Sequence, residues 1–211
     1  MNYFVKDILK KTSRNIDKLK NKADNLSKTF TMKHEKIENE EMDDEIELER
    51  ESFKSEEDFK RSCCHEAGHA LVAKLNDVET DEILISATGS FVALDSEGKT
   101  SADDLKKLVS IMYAGILAEI LVFGNGSSGF MGGEDADMET ANDYLKEYVI
   151  ITERNLSLTG LEEEEIKKIM IKKSKEIEKE TKNLLSSNRE ELLKLMDKIM
   201  EDNRDLLDDA N

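Results

Sequence analysis

The chain has no proline and no tryptophan, and aromatic residues make up only 5% of its 211 residues. Together with a charged fraction of 37%, this composition predicts a helix-rich and strongly solvated protein. The two cysteines, Cys63 and Cys64, are adjacent and cannot form a disulfide framework, so we interpret them as buried apolar side chains. No apolar run reaches the length of a membrane span, and the N-terminus lacks the apolar core of a secretory signal. We therefore expect a cytoplasmic protein.

Charge is distributed unevenly along the chain. The net charge of −17 argues against nucleic acid as the main partner. Residues 1–34 carry nine Lys/Arg against three Asp, with apolar residues at three- and four-residue steps, which predicts a basic amphipathic helix. Such a helix could bind a membrane surface or a separate partner, or pack on its own domain. Residues 35–58 hold thirteen acidic and three basic residues, so we expect an acidic linker over 35–54 that does not pack.

The segment Cys64 to Leu71 contains the motif H-E-x-x-H, formed by His65, Glu66 and His69. On a helix the two histidines lie one turn apart on the same face, so both imidazoles can bind one metal ion. In zinc peptidases with this motif, the glutamate takes a proton from a water whose pKa the metal lowers. A chance occurrence is the alternative, but the surrounding run is apolar and two of only three histidines fall here. The motif therefore predicts a metal site with Glu66 as the general base.

A catalytic zinc usually has three protein ligands and one open position, so a third ligand is needed. The remaining histidine, His34, lies in the charged N-terminal region and is poorly placed. The third ligand should therefore be a carboxylate in an ordered, apolar-flanked context. Glu119 is a polar residue in an apolar helix and could bind the metal or orient a ligating histidine. The residues alone leave four candidates open: Glu119, Glu134, Asp135 and Asp137.

The pattern of residues 55–211 predicts a mainly α domain with a small β-hairpin next to the motif helix. The first helix runs from Ser55, with Asp58 as its capping partner, to about Leu75, and Gly68 within it indicates close approach of another segment. The hairpin is expected within 81–95. Further helices are predicted over about 102–123, which Ser101 and Asp104 cap, and over about 162–186 and 189–207. Between them the sequence predicts one more helix, which carries Ala141, Tyr144, Leu145, Tyr148 and Val149. We expect the last two to form an antiparallel pair, with Ser187 and Glu190 as a cap signal.

Three segments, taken together, resemble the peptidase domain of FtsH-type AAA+ zinc proteases. They are His65-Glu66-Ala67-Gly68-His69-Ala70, Tyr113-Ala114-Gly115-Ile116-Leu117-Ala118-Glu119 and Gly133-Glu134-Asp135-Ala136-Asp137. The resemblance extends over roughly residues 58–207 and includes an L-x-x-N-R-[DE] stretch that begins at Leu185. It implies that His65, His69 and Asp137 bind zinc and that Glu66 is the general base. Glu119 then becomes a supporting residue and only a second-choice ligand.

The chain departs from the family at Ala114, Ile116 and Ile120, and its segment between the motif helix and residue 102 is shorter. An ATPase module and a transmembrane segment are absent from the 211 residues. The resemblance therefore implies an endopeptidase for peptides or unfolded segments, which could add a strand along residues 81–95, or one that works with a separate partner. Oligomerisation is possible. The competing hypothesis is a catalytically idle FtsH-like binding module that keeps its metal. For an oxyanion-stabilising residue, the sequence does not distinguish Tyr113, Tyr144 and Tyr148.

Overall fold

The computed structural model describes residues 52–94, 98–127, 136–153 and 163–207. Within these ranges the domain is mainly α with one small antiparallel hairpin, as predicted. The elements are α1 (Glu56–Leu75), β1 (Thr80–Leu84), β2 (Phe91–Leu94), α2 (Ala102–Phe123), α3 (Asp137–Thr152), α4 (Glu163–Ser187) and α5 (Arg189–Asp202), followed by a 3-10 turn at Arg204–Leu206. None of these helices combines the length and apolar character that crossing a membrane requires. The predicted helix over 1–34 lies outside the described residues.

The ends of the first two helices follow from local side-chain chemistry. The Ser55 hydroxyl accepts the backbone N–H of Asp58 at 3.3 Å, which starts α1 where the sequence predicts. Ser101 and Asp104 form a reciprocal capping box at the start of α2. Gly124 ends that helix with a left-handed backbone, at a φ of 82°. These bounds confirm the predictions for both helices.

The crossing of α1 and α2 lies at the centre of the core. A Cβ added to Gly68 would come within 2.5 Å of the Ala114 carbonyl oxygen and 2.7 Å of the Ala118 Cβ. The absence of a side chain at this position therefore lets the two helices approach closely, as the sequence indicates. The core around the crossing is completed by buried side chains from all five helices, among them Phe59, Leu71, Val109, Ile111, Leu145, Ile177, Leu185 and Leu192.

The hairpin lies against α1. Its strands pair antiparallel, with Ile83 opposite Val92 and Leu84 opposite Phe91. The turn between them is closed by Ser90, whose hydroxyl accepts the backbone N–H of Ser86 at 3.1 Å. The same hydroxyl lies 2.7 Å from that of Ser62 on α1. This contact fixes the start of β2 one helical turn before the H-E-x-x-H residues.

The C-terminal helices differ from the prediction. We expected an antiparallel pair, but α5 packs mainly against α1, because only Asn188 separates α4 from α5 and leaves no loop for a reversal. The Ser187 cap prediction is also wrong: α4 continues through Ser187, and the Asn188 side chain donates to the Leu184 carbonyl at 2.8 Å. The final helix is shorter than predicted, since it ends at Asp202.

The folded domain begins before Ser55. Phe53, which falls within the predicted linker 35–54, is 5% exposed and stacks edge-on against Phe59 at 5.4 Å. Its backbone N–H donates to the Leu206 carbonyl at 2.7 Å. The expectation that this segment does not pack is therefore wrong for its last residues, since the apolar Phe53 ring interrupts the acidic block. Residues 35–51 lie outside the described part of the chain.

Candidate metal centre

The two motif histidines lie on adjacent turns of α1, on the side that faces α2. Their ring centroids are 4.7 Å apart. His69 is 4% exposed, whereas His65 lies at the edge of a cleft and is partly exposed. The helical spacing therefore brings both imidazoles to one place, as the sequence predicts.

Asp137, the first residue of α3, brings a carboxylate to the same place. Its Oδ2 lies 2.8 Å from Nε2 of His65 and 3.2 Å from Nε2 of His69. One ligand atom from each of the three residues lies within 4.8 Å of the other two. Within the described residues, this largely buried His65, His69 and Asp137 cluster is the group of side chains that could bind a metal ion.

The outer ring nitrogens set the orientation of both imidazoles. The Nδ1–H of His69 donates to the backbone carbonyl of Ile111 at 2.7 Å. Since a carbonyl can only accept, Nε2 of His69 is the nitrogen with a lone pair free for a metal. Nδ1 of His65 lies 2.7 Å from Oε1 of Glu119, which sets the same orientation for that ring. Glu119 therefore lies behind the cluster and supports His65, which is the role that the resemblance implied; as a metal ligand it is badly placed.

Glu119 is itself held by partners that the sequence analysis missed. Its carboxylate accepts the backbone N–H of Ser127 at 2.8 Å and the Ser127 hydroxyl at 2.9 Å. The Arg61 guanidinium lies 3.7 Å from the same carboxylate and also donates to the Asn125 side chain at 2.9 Å. Although burial works in the opposite direction, the hydrogen bonds from His65 and Ser127 lower the pKa of Glu119. The Glu119 carboxylate therefore stays charged beside Nδ1 of His65.

The cluster favours positive charge. Burial opposes a charged imidazole, but hydrogen bonds with the Asp137 and Glu119 carboxylates raise the pKa of His65 to about 10. Burial likewise opposes ionisation of Asp137, yet hydrogen bonds from both histidines lower the pKa of that carboxyl. The same carboxylates that stabilise a protonated imidazole would stabilise a cation bound between the three side chains.

Glu66 stands apart from the hydrogen-bond network that surrounds it. It is 4% exposed, and its Oε2 atom is buried without a hydrogen-bond partner among the described residues. Burial raises the pKa of this carboxyl. A buried polar atom without a partner is rare and marks a place where a ligand or water is expected to bind. The other two carboxylates of the site, those of Asp137 and Glu119, are both hydrogen-bonded.

A cleft of about 560 Å³ opens beside these side chains. One wall is a stripe of α1, and the other is the hairpin from Ser86 to Leu94. Among the described residues that line it there is no tyrosine, and the Tyr113 hydroxyl instead lies 2.9 Å from Ser174 Oγ. In the described part of the chain, therefore, none of the three tyrosines considered from the sequence lines the cleft.

Gly115 on α2 is a site residue that the sequence analysis passed over. A Cβ at this position would overlap Nε2 of both His65 and His69. The space that the imidazoles share with a metal thus exists because α2 carries no side chain there. A mid-helix glycine in an otherwise apolar helix was the available signal, although we noted it only as part of the family motif.

The remaining candidates from the sequence are Glu134, Asp135, His34 and the two cysteines. Glu134, Asp135 and His34 lie outside the described residues. Cys63 and Cys64 are buried and unbridged, and burial raises the pKa of each thiol to about 12, in agreement with their interpretation as apolar side chains.

Comparison with known proteins assigns no family. No protein-family model matches the chain, and no curated protein matches it. The resemblance to FtsH-type peptidases remains a prediction from the three sequence segments, and the chemistry of the site must be argued from its own residues.

Proposed function

We propose that the protein is a zinc-dependent endopeptidase of the FtsH-like type. The observation that carries the proposal is the buried, unpartnered Oε2 of Glu66 beside the His65, His69 and Asp137 cluster. A metal held only for structure needs no such carboxylate, whereas a hydrolytic site needs a base next to an open position.

The donor set suits zinc. Two imidazole nitrogens and one carboxylate oxygen, with both outer Nδ1 atoms hydrogen-bonded to fixed acceptors, form the usual surroundings of a catalytic zinc. When bound, zinc would supply a Lewis acid that polarises a carbonyl and lowers the pKa of water towards neutrality. His65 and His69 would hold it through Nε2 and Asp137 through its carboxylate.

Glu66 is proposed to hold and transfer the proton. Because burial raises the pKa of its carboxyl, Glu66 is a stronger base than an exposed glutamate. The free Oε2 would take the proton from the attacking water and pass it to the leaving amine. The Glu119 carboxylate would keep the His65 ring oriented while this happens, since it is fixed by two hydrogen bonds from Ser127.

Unfolded or peptide substrates fit the cleft best. β2 pairs with β1 on one side, and among the described residues its other edge has no strand partner. An extended peptide could therefore add along β2, with its scissile bond near the cluster. A separate partner or a membrane surface bound by residues 1–34, a possible oligomer and a cytoplasmic location all stay predictions.

The decisive variant is Glu66→Gln, which keeps the size of the side chain and removes the base. We expect zinc content equal to that of the wild type, measured by mass spectrometry of the metal, and at least about 10²-fold slower cleavage of casein. His69→Ala and Asp137→Ala should lose zinc and activity together. Wild-type protein that binds zinc but cleaves nothing would refute the peptidase and favour the idle binding module.

A further inference from the structure

One stripe of α1 connects the metal cluster to an acidic residue at the far end of the cleft. Asp58, Ser62, His65 and Glu66 all line the cleft and lie at three- and four-residue steps along the helix. Asp58 precedes His65 by two turns, which is about 10 Å at roughly 1.5 Å per residue. An extended peptide covers this distance with about three residues, at roughly 3.3 Å each.

The Asp58 carboxylate is exposed and makes no hydrogen bond or ion pair with any described residue. Asp104 occupies the same position in α2, and its carboxylate folds back onto Ser101 to complete a capping box. Asp58 forms no such box, although its own backbone N–H is capped by Ser55. Helix capping therefore does not use the Asp58 side chain.

The other charged groups that line the cleft compensate one another. Arg61, the cationic side chain of the lining, is paired with Glu57 at 3.1 Å and with Glu119 at 3.7 Å. Asp137 belongs to the His65, His69 and Asp137 cluster and Glu66 lies beside it, where a bound divalent cation would balance their two charges. The negative charge that remains uncompensated in the described lining is that of Asp58.

An exposed aromatic ring lies on the opposite wall. Phe91 is 49% exposed and lines the same cleft. It directly follows Ser90, whose hydroxyl is 2.7 Å from that of Ser62, one helical turn from Asp58. A lysine or arginine side chain between the two walls could lay its aliphatic part or its cation on the ring and reach the carboxylate.

We propose that Asp58 is a specificity-determining residue, and that the cleft selects peptides with a lysine or arginine about three residues from the scissile bond. The proposal rests on the proposed peptidase function for the identity of the ligand as a peptide. A substrate lying along β2 would pass Ser62, which lies on α1 between the cluster and Asp58.

Binding measured without cleavage separates this proposal from the peptidase itself. Zinc-loaded full-length protein carrying Glu66→Gln is titrated with fluorescein-labelled ten-residue peptides of alanine, serine and leucine, in which one lysine is moved along the sequence. Glutamine and glutamate replace that lysine in matched peptides. At one position, we expect the lysine peptide to bind about two- to five-fold more tightly than the glutamine peptide, and the glutamate peptide to bind most weakly. These differences should vanish at high salt.

Charge reversal tests the role of Asp58 directly. Asp58→Lys in the same background should reverse the ranking, and Asp58→Asn should abolish it. Glu165→Gln is the matched control, because Glu165 is an exposed acidic residue in the first turn of α4 and does not line the cleft. It should leave the lysine preference intact, although it changes the net charge as Asp58→Asn does.

The two proposals fail in different ways. Equal affinity for lysine, glutamine and glutamate peptides, no binding of any of them, or an unchanged ranking in Asp58→Lys would overturn the role of Asp58, whatever the activity on casein. If the lysine preference depends on Asp58 but the wild-type protein cleaves nothing, the selection of basic peptides is sustained and the peptidase is refuted.

Discussion

Replacing Gly115 with alanine should remove the metal site while leaving the fold in place. The added Cβ would overlap both Nε2 atoms and come within 2.5 Å of Cδ2 of His65. Carbon atoms that are not bonded normally stay about 3.5 Å or more apart, so the rings must move by about 1 Å. Zinc tolerates deviations of only about 0.2 Å in its ligand distances, so a shift of this size destroys the site.

The fold itself should change little in stability. Alanine gains about 1 kcal/mol over glycine in a helix interior, and overpacking costs about 1–3 kcal/mol, so the net loss should not exceed about 2 kcal/mol. The assay is zinc content by metal analysis together with thermal unfolding in the presence and absence of a chelator. In wild-type protein the chelator should lower the melting temperature, and in Gly115→Ala it should have no effect.

Two glycine variants make the result specific. Gly89→Ala should change neither zinc content nor stability, because a Cβ there meets nothing within 4 Å. Gly68→Ala should destabilise the α1–α2 crossing, where a Cβ would lie 2.5 Å from the Ala114 carbonyl oxygen, yet retain zinc below its melting temperature. Folded Gly115→Ala protein that binds zinc with wild-type affinity would refute the reasoning.

Two further predictions concern the environment of His65. Glu119→Gln should still bind zinc at saturation but about 10- to 100-fold more weakly in chelator competition, because the charged partner of His65 is lost; unchanged affinity would count against this support. In metal-stripped protein, the raised pKa of His65 contributes stability that is fully present below pH 6.5 and is lost as the pH rises through about 10. The melting temperature should therefore fall over this range more steeply than in His65→Gln, and parallel profiles would contradict the assignment.

Local chemistry explains why much of the fold was predictable. Ser55 and Ser101 mark helix starts through hydrogen bonds that span three residues, and the H-E-x-x-H spacing places His65 and His69 on one face whatever surrounds them. Features of this kind depend on neighbours in the sequence. For the same reason, the ends of α1 and α2 were predicted well.

The third candidate ligand, Asp137, reaches His65 across 72 residues of sequence, and no local pattern specifies this contact. Four carboxylates were candidates from their ordered, apolar-flanked contexts, and only the resemblance favoured Asp137. The same limit applies to α5, since its apolar period shows that one face is buried but not that α1 covers it. The packing of Phe53 was not predicted, because a single apolar residue within an acidic block produces no recognisable pattern.

The candidate metal site is built as much by α2 as by the helix that carries the motif. Ile111, Gly115 and Glu119 follow one another at four-residue steps on one face of α2, and each does a different task for the two imidazoles. The Ile111 carbonyl accepts from His69, Gly115 leaves the room, and the Glu119 carboxylate orients His65. A backbone carbonyl has no signature in the sequence, and the mid-helix glycine was noted only within the family motif, so the glutamate alone was predicted as a site residue. A chain with the same H-E-x-x-H helix but a bulkier residue in place of Gly115 should keep the motif and lose the ability to bind a metal ion.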